Sequence, residues 1–489
     1  MKHNLLKHHI TCFNTTGFYN RGTIRICLLI TLFSGLSFLS QAQTADTNKL
    51  VIPILRDSSK NSDAEFLTIK QCIDYALVHQ PALNQSLINV DIARTTNAIN
   101  LSTWLPQVNA SGDAIHYIQQ SNYSSAATTT STSTTTGTST SGSATRTTAA
   151  NSFIPELTVS QAIFNPSLIY ATKAAPLLVK QAQQVTDSTK IYVVSAVSKS
   201  FYNVLLTLEQ INVLKEDTAR LGKNLRDAYH QYKGGIVDET DYEEAAISLN
   251  NSVASLKQAN ENIIPLYANL KQLMGYPIEK QFNVNFDTLK MTQDINIDTT
   301  EQLSYQKRIE FQQLNTQKNL QNEQIKYYQT AFLPTVSAFY NYDLAYENNK
   351  LSDMFSSSYP SSLIGISISI PIFTGFSRVN SLHRARLQYE LLDWAEKDLK
   401  SNIYTQYATA LANYKSNLYS LELLQKNVAM AKRTYFVVTL QYKQGIVAYL
   451  NVITAESNLI SSEISYLNAL FQVLSNKIDL EKAMGNISY

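Results

Sequence analysis

Tyr232-Lys233-Gly234-Gly235-Ile236-Val237 recurs 210 residues later as Tyr442-Lys443-Gln444-Gly445-Ile446-Val447. Met274-Gly275 returns as Met484-Gly485 at the same offset of 210, and Ile163-Phe164 as Ile372-Phe373 at 209. Leu105-Pro106 returns as Leu333-Pro334, but at 228. Four matches in one order mark an internal duplication. The excess of about 19 residues has a visible source in the Thr/Ser tract Ser124–Ala150 of the first copy. That tract holds no core-forming side chains and reads as a flexible, exposed loop.

Each copy reads as helix, strand, loop, strand, long helix, tight turn, long helix. The first covers residues 43–275, with strands at about 107–118 and 153–165 and a helical hairpin at about 166–275. A linker takes up 276–300. The second covers 301–489, with strands at about 334–346 and 363–373 and a hairpin at about 377–484. Ser377 to Gln444 is 68 residues without a Gly or Pro, an arm of roughly 100 Å if helical. Leu411, Tyr414, Leu418, Leu421, Gln425 and Val428 step by three and four along it, as Phe201, Val204, Leu208 and Ile211 do in the first copy. That rhythm is a coiled-coil seam. Gly235 and Gly445 fall where each chain must reverse, the usual place of a glycine after a helix.

Composition agrees with long uninterrupted elements. Among 489 residues there are only 14 Gly and 11 Pro, about 3% and 2% against usual values near 7% and 5%. The formal charge of +2 is biased by residues 1–42, which hold Lys2, Lys7, Arg21 and Arg25 and no acid. Without them 36 basic residues face 38 acidic ones, so no nucleic-acid-binding surface is indicated. The apolar run within 24–39, behind that basic stretch and ahead of Ser40-Gln41-Ala42, reads as a signal peptide over 1–42. Cys12 and Cys27 lie in it, leaving Cys72 without a disulfide partner. No later stretch approaches 18 consecutive apolar residues, so the sequence offers no further membrane helix.

Chemistry-bearing motifs are missing. His79, His116, His230 and His383 are far apart and fit no metal-ligand spacing. No phosphate-binding Gly-rich loop or nucleophile elbow is present. The sequence therefore points to no enzyme, no metal and no cofactor.

The strands have a period of two. Ile364, Ile366, Ile368, Ile370 and Ile372 alternate with Gly365, Ser367, Ser369 and Pro371. Val336, Ala338, Tyr340, Tyr342, Leu344 and Tyr346 alternate with mostly small or polar neighbours. At about 11–13 residues, such strands have the length that a tilted bilayer-spanning strand needs. Four strands leave two open edges, and lipid offers no partner for an unpaired backbone group. The chain must then associate. Two copies would supply eight strands, three twelve and four sixteen, from a minimum of about eight for a membrane barrel.

Taken together, Leu67-Thr68 before a helix with Pro81, the Leu-Pro before each first strand and the Ile-Phe closing each second strand resemble the TolC-like outer-membrane efflux proteins. So does Tyr442-Lys443-Gln444-Gly445 with Val452 and Ala455, echoed more weakly over Tyr232–Ala245. The resemblance covers nearly all of the chain beyond the leader. It implies a mainly α fold with a transmembrane β part: a homotrimer whose 12-stranded β-barrel in outer-membrane lipid continues into a periplasmic α-helical barrel. It implies a passive exit duct, partnered by a periplasmic adaptor (membrane fusion) protein and an inner-membrane transporter. Hairpin turns Lys233–Val237 and Lys443–Val447 match the family's adaptor-docking tips. In the family pattern an Asp on the first hairpin bonds to a Tyr and an Arg on the second. Asp241 and Tyr442 match, but Val447 stands at the Arg position, so half of that latch is missing. Two Asp residues ringing the entrance correspond to Asn451 and Thr454, which are uncharged. The competing reading, a periplasmic coiled-coil scaffold or adaptor without a channel, fits poorly with two hairpins and so little Gly.

Overall fold

The computed structural model describes residues 65–119, 149–284, 295, 297 and 301–489. The expected leader, and the Thr/Ser tract apart from Ala149 and Ala150, lie outside the described residues. The chain opens with β1 (Glu65–Leu67), α1 (Ile69–His79) and α2 (Pro81–Ser102), then β2 (Gln107–His116) and β3 (Asn151–Phe164). The first hairpin is α3 (Pro166–Lys233) and α4 (Glu239–Met274), followed by β4 (Phe282–Val284). The second copy comprises α5 (Ile309–Thr330), β5 (Thr335–Asn348), β6 (Ser358–Ser369), α6 (Ser377–Lys443) and α7 (Tyr449–Met484).

Local chemistry explains the motifs. Thr68 caps α1 through a reciprocal capping box with Gln71, which satisfies two otherwise orphaned amides, while Leu67 is buried beside Cys72 and Ala76. Asn165, directly after Ile163-Phe164, accepts the Ser167 amide at 2.9 Å and starts α3. At both tips the helix ends in the same way. Gly235 and Gly445 take φ of +67° and +71°, and the amides of Ile236 and Ile446 reach back to the carbonyls of Gln231 and Gln441 at 2.9 Å each. A left-handed residue followed by such a bond closes a helix cleanly.

The two long helices span 68 and 67 residues, about 100 Å each, whereas the return helices of 36 residues reach only about 54 Å. The remaining length of each long helix needs another partner. α2 packs along α3, and α5 packs along both α3 and α6. The short helices meet end to end. A Cβ on Gly275 (φ +67°) would lie 2.5 Å from the His79 carbonyl oxygen, just before α2. A Cβ on Gly485 (φ +76°) would lie 2.9 Å from the Lys307 carbonyl, just before α5. The conserved spacing of Met-Gly in the two copies thus marks a joint rather than a simple stop. Here β1 and β4 pair in parallel and add Leu67, Phe282 and Val284 to the core around Val197, Phe201 and Val204. α3 holds a stretch apolar and long enough to cross a bilayer, but more than half of it is buried inside the fold.

The four larger strands form one antiparallel sheet in the order β2-β3-β5-β6. Each repeat supplies a hairpin, and the β3–β5 pair joins the repeats. Register puts Val159 beside Tyr340 and Tyr340 beside Ile364, with Leu157 beside Tyr342 and Ala338 beside Ile366 in flanking rows. One face is therefore apolar. The other carries Glu156 opposite Asp343, and Asp343 opposite Ser361. β6 begins at Ser358 and ends at Ser369, displaced toward the N-terminus from the expected 363–373. Its partner β5 starts only at Thr335, opposite Ser369, and Pro371 has no amide with which to extend the ladder.

The two kinds of glycine separate experimentally. Gly275→Ala combines a left-handed backbone with a backbone clash and is expected to cost at least about 2 kcal/mol. Gly445→Asn meets nothing within 4 Å and is expected to cost about 1 kcal/mol or less. Thermal midpoints of the helical signal in circular dichroism would compare them; equal losses would contradict the joint.

Candidate functional site

Both tips are exposed turns. Lys233, Gly234, Gly235 and Ile236 are exposed, as are Lys443, Gln444, Gly445 and Ile446, while Val237 and Val447 are half-buried. Ile236 and Ile446 are 76% and 68% exposed, so each tip presents a bare β-branched side chain at matched positions. Lys233 lies 5.6 Å over the rings of both Tyr229 and Tyr232, which stiffens the first tip.

Behind the tips a small apolar cluster ties the hairpins together. It contains Ala228 of α3, Ala245 of α4, and Tyr449 and Val452 of α7, with Tyr435 and Tyr442 packed against it. Tyr442 does not bond to Asp241 as the resemblance implied. Its hydroxyl donates instead to Gln231 Oε1 at 2.6 Å, still linking the second hairpin to the first. Burial raises the pKa of the Tyr442 phenol, and the nearby charges of Asp241 and Asp227 add to the effect. Asp241 sits in the first turn of α4. Its carboxyl is raised by burial and by neighbouring Asp238, so these outweigh the favourable helix terminus. Asn451 and Thr454 are exposed in the first turns of α7. The Thr454 hydroxyl is bonded to the Leu450 carbonyl at 2.9 Å. Val447, half-buried, brings no charge. Of the expected set, the structure thus brings Asp241 and Tyr442 near one another and leaves Asn451 and Thr454 on an open surface.

Sequence reasoning missed a charged cluster deeper inside. Arg220 Nε donates to Glu456 Oε1 at 2.8 Å and Arg220 Nη2 to Asp217 Oδ1 at 3.0 Å. Asn224 Nδ2 donates to Glu456 Oε2 at 3.1 Å, and the Ser252 hydroxyl to Asp217 Oδ2 at 2.7 Å. The guanidinium carbon lies 5.4 Å from the Tyr435 ring centre. The carboxylate side chains of Asp217 and Glu456 are 1% and 2% exposed. A signal was available: Asp217 sits between Leu214 and Leu221 on the buried stripe of α3, and Glu456 between Val452 and Leu459 on that of α7. A charge inside an apolar seam carries a desolvation cost that its pairing only partly returns.

The sequence pattern of the Outer membrane efflux protein family matches residues 72–276 and 302–486. Outer membrane protein TolC of Escherichia coli strain K12 is 23% identical over 357 residues, covering 69% of this chain and 70% of that protein. Among solved structures, CusC superposes with a TM-score of 0.70 at 20% identity, over 90% of this chain and 98% of CusC. The open-state MtrE channel of Neisseria gonorrhoeae gives 0.65 at 19% identity, over 85% and 88%. The mainly helical fold with repeated strand-strand-helix units is therefore the fold of these channels. With four-fifths of its length inside the family pattern and its architecture shared with known channels, this chain belongs to the outer membrane efflux proteins: a non-enzymatic channel of the TolC/CusC type, seated in the outer membrane with a long helical part in the periplasm.

Proposed function

We propose that the chain is the passive outer-membrane exit duct of a tripartite efflux or secretion system. Three copies close their sheets into one twelve-stranded barrel, and their hairpins continue it as a helical tube that is gated at the tips. Residues 43–275 and 301–489 act as the two repeats of each protomer. The tips Lys233–Val237 and Lys443–Val447 dock to a periplasmic adaptor, which couples the duct to an inner-membrane transporter. Energy comes from that partner.

The observation carrying this reading is the sheet itself. Its outer strands β2 and β6 each have one paired neighbour, and its apolar face leaves Ile364 and Ile366 83% and 66% exposed. A bilayer satisfies the apolar face and forbids the open edges; sister chains resolve both. The helices carry a matching demand. Leu387, Leu391 and Trp394 lie bare along α6 at steps of four and three, a stripe suited to a sister helix. Asp241, Tyr442, Val447, Asn451 and Thr454 line the gate in this reading. Of these five positions only Asp241 carries a charge.

The duct is expected as heat-sensitive trimers in outer-membrane fractions and as discrete conductance steps in planar bilayers; a soluble periplasmic monomer would end the proposal. Placement of the sheet is checked by a pair of substitutions. Ile366→Lys puts a charge on the lipid face and is expected to cost about 2–4 kcal/mol if it lies near the bilayer midplane, seen as lost trimer. Ser367→Lys, on the opposite face, is expected to assemble normally. Docking is checked by Ile236→Asp with Ile446→Asp. This double variant is expected to conduct like the unmodified channel in bilayers yet to fail in export by intact cells, and normal export would reject the tips as docking elements.

A further inference from the structure

Arginines that the fold shields find carboxylates. Arg220 holds Glu456 and Asp217, and Arg308 holds Glu310. Arg378, in the first turn of α6, is the exception. It is half-buried, and its Nη1 is shut off from solvent with no hydrogen-bond partner among the described residues. A shielded donor left without an acceptor costs its full desolvation, and in a native fold it calls for an explanation. As a cation in the first turn of a helix, Arg378 also stands at the unfavourable end of the dipole. Both costs are relieved by one thing, an anion.

There is room for one. Arg378 lines a cavity of about 280 Å³ at the foot of the sheet, where β3 passes into α3, α5 into β5 and β6 into α6. Tyr327 and Tyr328 of α5, Thr335 of β5, Ser369 of β6 and Ser381 of α6 stand around it. Their hydroxyls are donors that come from four separate elements. Thr335 and Ser369 are register partners on the polar side of the sheet. The guanidinium fork swings on a long stem, so a small turn about its last bonds brings Nη1 to an acceptor in the cavity. Arg384 Nη2 donates to the Tyr328 hydroxyl oxygen at 3.5 Å, which adds a second positive charge and leaves the phenolic proton free to donate.

No carboxylate competes for the place. None is among the residues lining the cavity, and Glu323 on α5 is held by Lys326 at 2.6 Å. In the duct proposed above, β6 meets β2 of a sister chain. Residues 92–112, the stretch of that chain leading through α2 into β2, contain no Asp or Glu. Assembly therefore brings no counter-charge from that side.

A planar fork backed by hydroxyl donors from several directions is complementary to a tetrahedral oxyanion rather than to a flat carboxylate. We propose that Arg378, with the hydroxyls of Tyr328, Thr335, Ser369 and Ser381, forms a binding site for a phosphate group, one per chain. Two sources of that group reach this level. Ile372, Phe373 and Phe376 are exposed just before Arg378 and suit the acyl chains of a lipid whose headgroup enters the cavity. A free phosphate or phosphorylated solute would arrive through water.

The site lies within a single chain, so it is tested apart from the duct reading. Full-length protein in neutral detergent is titrated calorimetrically with inorganic phosphate and, separately, with short-chain phosphatidylglycerol. A short-chain diacylglycerol supplies the tails without the phosphate. One equivalent per chain is expected for a phosphate-bearing probe and none for diacylglycerol. Saturation by the phospholipid alone assigns the site to a headgroup, and saturation by inorganic phosphate assigns it to a free oxyanion. Arg378→Gln is expected to weaken binding about tenfold or more and Tyr328→Phe about threefold, with Arg378→Lys between the unmodified protein and Arg378→Gln. Arg386→Gln, exposed on the same helix, binds as the unmodified protein does. The site is overturned if neither phosphate probe saturates, or if Arg378→Gln binds them undiminished. Equal uptake of diacylglycerol with no response to inorganic phosphate rejects it too. Should Arg378→Gln not fold, Tyr328→Phe decides, and an unchanged affinity there rejects the site.

Discussion

Every larger feature follows from a row of backbone amides and carbonyls that one chain cannot pair. β2 and β6 end the sheet with open hydrogen-bonding edges, and an edge of that kind is untenable in hydrocarbon. Soluble proteins blunt such edges with charge, proline or a covering helix. β6 carries Pro360 near its start but no charge, and it sets a ladder of exposed isoleucines along its remaining length. In the trimer proposed above, such sheets join into a closed surface whose axis the helices surround.

The helical part then divides its stability in an instructive way. Apolar cores hold each hairpin together, and close-fitting joints at Gly275 and Gly485 stack short helices into pillars nearly as long as α3 and α6. Among the described residues the hairpins are joined by α5, which packs along both α3 and α6, by Tyr202 of α3, which packs against both cores, and by the small cluster behind the tips. Between α3 and α7 the boundary carries polar bridges, Lys199–Asp479, Gln210–Asn468 and Arg220–Glu456.

The parts legible in the sequence are those with a repeating physical cause. Tip motifs reveal themselves because reversing a long helix demands a glycine at positive φ, and doing so twice leaves two copies of the demand. Strands reveal themselves by alternation, down to the isoleucine row of β6. What stayed hidden lacked either length or period. β1 and β4 are three residues each, too short to show alternation, and their pairing depends on a joint distant in sequence. That α2 completes the seam of α3 is equally nonlocal. The Tyr442–Gln231 bond in place of Tyr442–Asp241 depends on rotamers, which no spacing encodes. Arg220 and Glu456 could have been noticed as charges within apolar stripes, but their partnership spans 236 residues.

Charge placement is where this chain departs from the pattern it resembles, and the departure has a direction. At positions where the pattern it resembles carries charge, Val447, Asn451 and Thr454 are uncharged, while Asp241 keeps its carboxylate. Inside, charge is plentiful. Asp217, Arg220 and Glu456 meet in the seam, and Glu156 faces Asp343 directly across the polar side of the sheet. Like charges directly opposite destabilise a strand pair, so their proximity on that side is a cost that packing does not explain. A water-filled lumen bounded by low-dielectric walls concentrates the field of such groups. In the duct proposed above, the Glu156–Asp343 pair on the polar face of the sheet would lend the barrel lumen a negative potential.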